Sequence, residues 1–393
     1  MKKIAFVTSW FGEDITGGTA AELREITGHL HRADVPVEIF ATCLRGLSGG
    51  EDYPAGEEIS VDGITIRRFK AAVRDADAFN EVNERLMNNQ RITPAEEEIF
   101  LREIVNSPDM YKYISGNKDE YSAFVYMNYM LGTTYGGISA CPEKAVLIPC
   151  LRDEAYARMS CFRKLYPTAA GMIFGSQPEA ELAARLFGID SEKTKTAVIG
   201  TGIDTDVLPA PAAFRKKYSL WEPFMLYAGR KDKSKNIDTL VKYFSEYVKR
   251  NDTDLRLVLM GNGKAELPKE LVRTGKIRDL GFIDKQDKFN AMGAAEVLCM
   301  PSQNEWSPLV MLESWLCGRP VLVSERCPVA RDLVSKANGG LYFSDYFEFE
   351  ACTDYILANK NIAWIMGDNG KKYTKENFDR SIITAKYKNY LLP

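Results

Sequence analysis

"NEWSPLVMLESWLCGRPV", residues 304–321, places two glutamates, Glu305 and Glu313, at the ends of an otherwise apolar stretch. In one continuous helix they would lie about 80° apart around the axis and roughly 12 Å along it, too far apart to act on one atom. The intervening Ser307-Pro308 is a helix start signal, because serine is a favoured N-cap and proline suits the first helical position. The sequence therefore predicts a helix that begins at Pro308, with Glu305 in the loop before it.

This predicted helix start suits an anion. The backbone N–H groups near Leu309 and Val310 are expected to lack helical partners, and the positive end of the helix dipole lies there. Two carboxylates thus flank a predicted site for a negatively charged group.

Length and composition limit the class of protein. The 393 residues predict two domains, and 45% hydrophobic with 27% charged residues is typical of a globular protein. A net charge of −3 gives no basic face for nucleic acid. The eight cysteines form no CxxC, and several lie in apolar runs, which favours buried, reduced thiols in a cytoplasmic protein. No apolar run is long enough to span a membrane.

Strand-like and helix-like runs alternate along most of the chain, which is typical of doubly wound α/β sheets. One series runs from "KIAFVTSWF" to "TAVIGTG", and a second from "FMLYAGR" to "PVLVS". Residues 76–121 interrupt the first series and are interpreted as an inserted helical pair on the rim. The Pro- and Ala-rich residues 203–223 are a candidate linker. Open sheets bind ligands at the carboxyl ends of their strands, so we expect a site in a cleft between the two domains.

A basic loop follows one strand of the second series. In "LYAGRKDKSKN" the strand ends at Gly229, and Arg230 and Lys235 follow before the next helix. A guanidinium grips phosphate oxygens with two donors, and an ammonium adds a point charge. A solvated loop is the simpler interpretation of these residues alone. Because this loop and Ser307 both follow strands of one domain, we expect them at the same sheet edge.

Two further glycines, Gly261 and Gly263, also follow a strand, but their spacing is not that of a GxGxxG fingerprint. Phe282 and Ile283 are candidates for lining a pocket for a base. Core packing is the simpler interpretation of their side chains.

In the first series, Gly17-Gly18 precedes the first helix, where N–H groups are able to bind a phosphate or an acceptor. A tight structural turn is the alternative. The two histidines, His29 and His31, are two apart and cannot share a helix face. No HExxH or paired Cys/His spacing indicates a metal, and the three DxD matches lie in a polar stretch, in the linker and at a helix end.

These motifs resemble the retaining glycosyltransferases of family 4, which have the GT-B fold. Glu305 and Glu313 match the E-x7-E motif, and "GRKDKSKNIDTL" is similar to the family's G-R-x4-K loop. Gly17-Gly18, "FGSQPEAELAARLFG" and "IGTGIDTD" resemble the family's first-helix loop, late strand and helix, and interdomain connection. The match covers most of the chain and is most specific in its second half.

The resemblance implies a role for each motif. Arg230 and Lys235 are expected to hold a donor diphosphate, Glu313 the ribose hydroxyls and Glu305 the hydroxyls of the donor sugar. Glu305, Arg230 and Lys235 are the predicted catalytic residues. The predicted donor-binding set is Gly18, Gly229, Arg230, Lys235, Gly261, Phe282, Ile283, Glu305, Ser307, Leu309, Val310 and Glu313. No metal ligand is predicted.

The acceptor side is predicted in the first domain. Many members of the family carry a histidine there near the donor sugar, whereas this chain has Arg152-Asp153-Glu154. The candidates are Gly17, Tyr129, Arg152, Asp153 and Glu154. The predicted domains are an acceptor-binding Rossmann-like domain over 1–202, a nucleotide-sugar-binding one over 203–375, and a helix over 376–393 that packs back on the first.

The predicted function is metal-independent, retaining transfer from a UDP- or GDP-sugar to a saccharide or lipid-linked acceptor. No cofactor other than this co-substrate is expected. Surface-polysaccharide or cell-wall synthesis in the cytoplasm is the expected setting, with peripheral membrane contact and oligomeric state left open. One alternative is a GT-B sugar-nucleotide epimerase, whose chemistry needs acids and usually histidines in the cleft, whereas this chain is poor in histidine. The other is a non-catalytic nucleotide-sugar-binding subunit, which the Arg152 departure favours.

Overall fold

A computed structural model describes residues 2–12, 15, 18–46, 53–60 and 62–392. The chain divides into an N-terminal unit, Met1–Thr201 with Ile383–Pro393, and a C-terminal unit, Gly202–Ile382. The predicted boundaries were residues 202 and 375. The second of these lies inside a helix that runs to Phe378.

The sheet of the N-terminal unit is mostly parallel. Its described strands are β1 (Lys3–Val7), β2 (Val37–Thr42), β3 (Gly56–Ile59), β4 (Thr65–Phe69), β5 (Tyr121–Met127), β6 (Ala145–Ile148), β7 (Gly171–Phe174) and β8 (Lys195–Val198). They pair in the order β3-β4-β2-β1-β5-β6-β7-β8. Only β3 is antiparallel to its neighbour among these described strands, and the prediction missed it. The helices before residue 201 are α1 (Gly18–Arg32), α2 (Ala76–Met87), α3 (Pro94–Glu103), α4 (Pro108–Asn117), α5 (Gly132–Ala140), α6 (Ser160–Leu165) and α7 (Gln177–Phe187).

The C-terminal unit is described throughout and has a wholly parallel sheet. Its strands are β9 (Phe224–Ala228), β10 (Arg256–Met260), β11 (Ile277–Asp279), β12 (Val297–Met300), β13 (Val321–Ser324) and β14 (Gly340–Phe343), in the order β11-β10-β9-β12-β13-β14. The helices from there to the end of the chain are α8 (Pro211–Tyr218), α9 (Ile237–Arg250), α10 (Lys269–Arg273), α11 (Lys285–Ala294), α12 (Leu309–Leu316), α13 (Pro328–Ala337), α14 (Tyr346–Ala358), α15 (Lys360–Phe378) and α16 (Arg380–Leu391). The predicted class, two α/β domains with parallel sheets, is confirmed.

Two predictions about the connections are wrong. Residues 76–121, all described, contain the three helices α2, α3 and α4 instead of a helical pair on the rim. Phe79 and Phe100 stack with ring centroids 5.4 Å apart, and Met110 and Ile114 are fully buried in the unit's core. The candidate linker also contains a helix, α8, because Phe214 is fully buried against the C-terminal core.

Trp315 fixes α12 in the C-terminal core. Its side chain is fully buried, and its indole N–H donates to the carbonyl of Gly339 at 2.7 Å. Gly370 of α15 lies against the ring so closely that a Cβ would collide with it. This contact holds the helix that carries Glu313.

The end of the chain belongs to the N-terminal unit. Ile383, Tyr387 and Leu391 of α16 are buried, and the Tyr390 hydroxyl donates to the Lys195 carbonyl at 2.6 Å. In the part of the chain that the structure describes, no helix is long and apolar enough to cross a membrane.

A buried carboxyl group makes the N-terminal unit sensitive to pH. Glu179 of α7 is 2% exposed and accepts hydrogen bonds from the N–H groups of Leu151, at 2.6 Å, and Gly175, at 2.5 Å. Burial raises its pKa to about 7, although the two N–H donors oppose that shift. The folded state therefore binds more protons than the unfolded state between about pH 4.5 and pH 7.

We predict that Glu179 lowers the free energy of unfolding as the pH rises from about 4.5 to about 7. The loss is roughly 3 kcal/mol, and it levels off above pH 7, where both states are ionised. Urea unfolding of the wild type and Glu179→Gln at pH 5 and pH 8 measures it, because only the wild type titrates at this position. An equal difference between the two proteins at both pH values contradicts the prediction.

Candidate active site

Loops at one edge of the C-terminal sheet form the candidate site. The strands β11, β10, β9 and β12 are parallel neighbours, so the loops that follow them leave the same edge. The expectation that the basic loop and the start of α12 share an edge is confirmed. A cavity of about 380 Å³ lies among these loops. It is lined by Ala228, Gly229, Arg230, Met260, Gly261, Asn262, Phe282, Ile283, Lys288, Leu309, Val310 and Glu313.

The cavity brings together much of the predicted donor-binding set. Lys235, Glu305 and Ser307 belong to the same unit but do not line it. Gly18 is the first residue of α1 in the N-terminal unit. The residues that the sequence did not single out are Ala228, Met260, Asn262 and Lys288.

Close backbone contact holds the loops after β9 and β10 together. The N–H of Gly229 donates to the Met260 carbonyl at 3.0 Å, and that of Lys231 to the Asn262 carbonyl at 2.7 Å. Gly261 has φ +121°, and a Cβ there would lie 2.7 Å from the carbonyl carbon of Gly229. Gly261 and Gly263, on either side of Asn262, thus let the two loops approach each other closely. This structural role does not require the spacing of a dinucleotide-binding fingerprint.

A buried lysine connects the loop after β9 to the end of β11. Lys231 is 3% exposed, and its ammonium contacts the carboxylate of Asp279 at 2.6 Å. The same carboxylate accepts from the N–H of Gly281 at 2.9 Å, and the Gly281 carbonyl accepts from Gly261 at 2.7 Å. Three loops are therefore joined into one hydrogen-bonded platform beneath the cavity.

The first glutamate of the opening stretch is held by the basic loop. The ammonium of Lys235 contacts Glu305 Oε1 at 2.6 Å, with side chains 24% and 12% exposed. Asn236 ties the same loop to the carbonyl of Pro301 at 3.1 Å. Arg230 behaves differently, because its side chain is 65% exposed and lies 3.4 Å from the Asp232 carboxylate.

Helix α12 starts one residue later than predicted. Pro308 is its N-cap and Leu309 its first residue, and no side chain caps it. The N–H of Leu309 donates to the Ser307 carbonyl at 3.1 Å, so this predicted unpaired group has a partner. The cause is the ψ of +66° at Pro308, which turns the chain before the helix begins.

The second glutamate is also held by a lysine. Glu313 Oε1 contacts the ammonium of Lys288, which projects from α11, and the side chains are 14% and 29% exposed. Nothing in the sequence relates these residues, since they are 25 positions apart on different helices. Lys288 is therefore a site residue that only the structure reveals.

The expectation of core packing is wrong for Phe282. Its side chain is 75% exposed, whereas Ile283 is half-buried against the core. Gly281, with φ +67°, turns the chain sharply before Phe282, and Phe282 then lies at the rim of the cavity.

The candidates of the N-terminal unit fall into two groups. The Tyr129 hydroxyl donates to Glu154 Oε1 at 3.0 Å, and Arg152 lies 3.7 Å from the same carboxylate. Burial, with help from that carboxylate, raises the pKa of Tyr129. Asp153 instead pairs with Arg158 and, at 3.1 Å, Arg185.

The remaining acceptor-side candidate, Gly17, lies outside the described residues. Across the residues that are described, no three His, Cys, Asp or Glu side chains converge in a way that could hold a metal ion.

The C-terminal unit matches a known family. Residues 213–373 fit the family model for Glycosyl transferases group 1. A D-inositol 3-phosphate glycosyltransferase of Kineococcus radiotolerans is 22% identical over 344 residues, which are 80% of this chain and 74% of that protein. Residues 213–373 form a group 1 glycosyltransferase domain. A second such protein, from Xylanimonas cellulosilytica, is 25% identical over 216 residues, so the match spans about half (51%) of that relative's length.

The fold of the chain is shared with solved structures. The Anabaena protein HepE, solved in complex with UDP, superimposes with a TM-score of 0.69 at 16% identity, covering 100% of this chain and 99% of HepE. At that identity the likeness concerns the fold alone. The fold is GT-B, as the sequence resemblance implied.

We predict that Gly261→Ala disrupts the loop platform. The left-handed φ disfavours alanine by about 1–2 kcal/mol, and the contact with Gly229 adds to this loss of stability. The measurement is the urea midpoint of unfolding, with Gly116→Ala as the control. Gly116 lies in α4 with open space around its Cβ position, so alanine there should be neutral or stabilising. Equal midpoints for the two variants would contradict the role of Gly261.

Proposed function

We propose that this protein moves a sugar from a UDP- or GDP-sugar to a saccharide or lipid-linked acceptor. The observation that carries the proposal is the pair of lysine-held carboxylates, Glu305 and Glu313, on either side of the start of α12. HepE, which shares the fold, is solved with UDP, and this supports a nucleotide donor.

The cavity supports a division of roles along the donor. Glu313, inside it, would accept hydrogen bonds from the ribose hydroxyls, and Glu305 from the hydroxyls of the donor sugar. Arg230 and Lys235 would bind the diphosphate, since a guanidinium and an ammonium both suit phosphate oxygens. Exposed Phe282 would offer an apolar surface for the base.

We also propose that transfer is retaining and independent of a metal. The acceptor hydroxyl would attack C1 of the sugar from the side on which the diphosphate leaves. The C1–O bond to phosphate breaks as the new C1–O bond forms, and the acceptor proton passes to the leaving phosphate oxygen. Arg230 and Lys235 would stabilise the charge on the leaving group, and no protein base is required.

Arg152 and Glu154 are the proposed contacts for the acceptor, and the buried Tyr129 holds Glu154 through the hydrogen bond from its hydroxyl. Guanidinium and carboxylate groups together donate and accept, which suits a polyhydroxylated acceptor. We place the reaction in surface-polysaccharide or cell-wall synthesis in the cytoplasm.

Arg230→Ala and Lys235→Ala test the assignment of the diphosphate. Each should lower kcat/KM by on the order of 100-fold, because charge on the diphosphate grows in the transition state. Initial rates with the donor that the wild type turns over measure this loss. The control is Lys233→Ala, an exposed lysine in the same loop, which should keep full activity. Wild-type rates in both Arg230→Ala and Lys235→Ala would refute the assignment of these residues to the diphosphate and indicate that the loop is only solvated.

The stereochemistry and metal requirement form a separate prediction. We expect full activity in excess EDTA, because Arg230 and Lys235 would supply the positive charge in place of a metal ion. We also expect a product with the α configuration of the donor, because the acceptor would attack from the side on which the diphosphate leaves. The anomeric proton coupling in NMR spectra of the product gives the configuration. A β-linked product from an α-linked donor would refute retention, and activity restored only by a divalent ion would refute metal independence.

A further inference from the structure

Lys288 lines the candidate donor cavity without belonging to any predicted motif. It lies near the start of α11, and its ammonium contacts Glu313 Oε1 on α12. Both side chains line the cavity, and both are largely withdrawn from solvent, at 29% and 14% exposed. An ion pair is thus built into the part of the site that carries the glutamate assigned to ribose.

The physical effect of Lys288 on Glu313 follows from this position. The ammonium of Lys288 comes from a different helix, so its contact with Glu313 Oε1 restrains where the carboxylate lies in the cavity. A carboxylate has about four lone-pair positions, so one contact with Lys288 leaves room for two hydroxyl donors.

A comparable arrangement exists at the other carboxylate. Lys235, from the loop after β9, contacts Glu305 at 2.6 Å. In each case the lysine belongs to a different element from the glutamate, so the ion pair fixes the carboxylate relative to a second loop or helix. The side-chain torsions of Glu313 are thereby restricted before any ligand binds.

We infer that Lys288 is a positioning residue, which holds the Glu313 carboxylate oriented toward the ribose and thereby sets the preference for ribonucleotides over 2′-deoxyribonucleotides. This inference rests on the proposed function, because it uses the assignment of Glu313 to the ribose hydroxyls. Lys288 need not touch the ligand, and its effect should depend on the presence of the hydroxyl that Glu313 accepts.

The test removes the side chain of Lys288 and the 2′-hydroxyl of the ligand, separately and together, and compares the binding affinities. Titration calorimetry with UDP, GDP and their 2′-deoxy counterparts is applied to the wild type, Lys288→Met, Lys288→Arg and Glu313→Gln. The wild type should prefer the ribonucleotide by about tenfold or more, as expected for a hydrogen bond to a charged acceptor. Lys288→Met should lose most of that preference, and Lys288→Arg should restore it. Thermal unfolding establishes that each variant is folded.

Lys285→Met is the matched control. Lys285 lies one turn earlier on α11, its side chain is 72% exposed, and it does not line the cavity. Its replacement should leave both affinities unchanged. In steady state, Lys288→Met should raise KM for the donor more than it lowers kcat, since the contact with ribose exists before and after transfer.

Three results would overturn the inference. Equal weakening of ribo- and deoxyribonucleotide binding in Lys288→Met would mean that Lys288 binds the base or phosphate directly. Unchanged binding in that variant, while Glu313→Gln loses the preference, would show that Glu313 needs no partner. A wild type that binds neither UDP nor GDP would refute the proposed function itself, and the inference with it.

Discussion

Parallel pairing of four neighbouring strands is the constraint on which the candidate site depends. Backbone hydrogen bonds fix β11, β10, β9 and β12 side by side in one direction. With neighbouring strands about 4.8 Å apart, their carboxyl ends share an edge roughly 15 Å wide. Arg230, Lys235, Lys288, Glu305 and Glu313 each follow one of these strands, either in a loop or in the next helix. The site is therefore a property of strand order.

The platform and the side chains above it have different physical characters. Beneath the cavity, Gly229, Lys231 and Gly261 join three loops through main-chain hydrogen bonds and one buried ion pair. Above it, Arg230 and Phe282 are largely exposed. A hydrogen-bonded backbone beneath exposed polar and aromatic side chains fixes where those side chains start, and leaves their ends free of packing against the core.

The sequence was sufficient to predict the features of the fold and site that depend on the local pattern of residues. Apolar runs predicted most strands, and the order of strand and loop was enough to place Arg230 at the same edge as α12. Features that depend on tertiary contact were not predictable. Phe214 shows that an apparent linker forms a helix once a core is available, and Lys288 meets Glu313 only because α11 packs beside α12. The start of α12 was misplaced by one residue because the turn at Pro308 is a matter of backbone geometry, which Ser-Pro alone does not specify.

The two lysine–glutamate pairs resolve an electrostatic problem in a site proposed for an anion. Two uncompensated carboxylates would repel a diphosphate, but the ammonium groups of Lys235 and Lys288 offset their charge. If Lys235 binds the diphosphate as proposed, the arrangement would also limit how tightly a donor binds, because the diphosphate would compete with Glu305 for the same ammonium. Tight binding of the ground state does not accelerate a reaction, whereas contacts that strengthen as charge develops on the leaving group do. In the proposed assignment, Lys235 would be shared between Glu305 and the leaving diphosphate and would meet that requirement, since its interaction would shift toward the phosphate as the negative charge there grows.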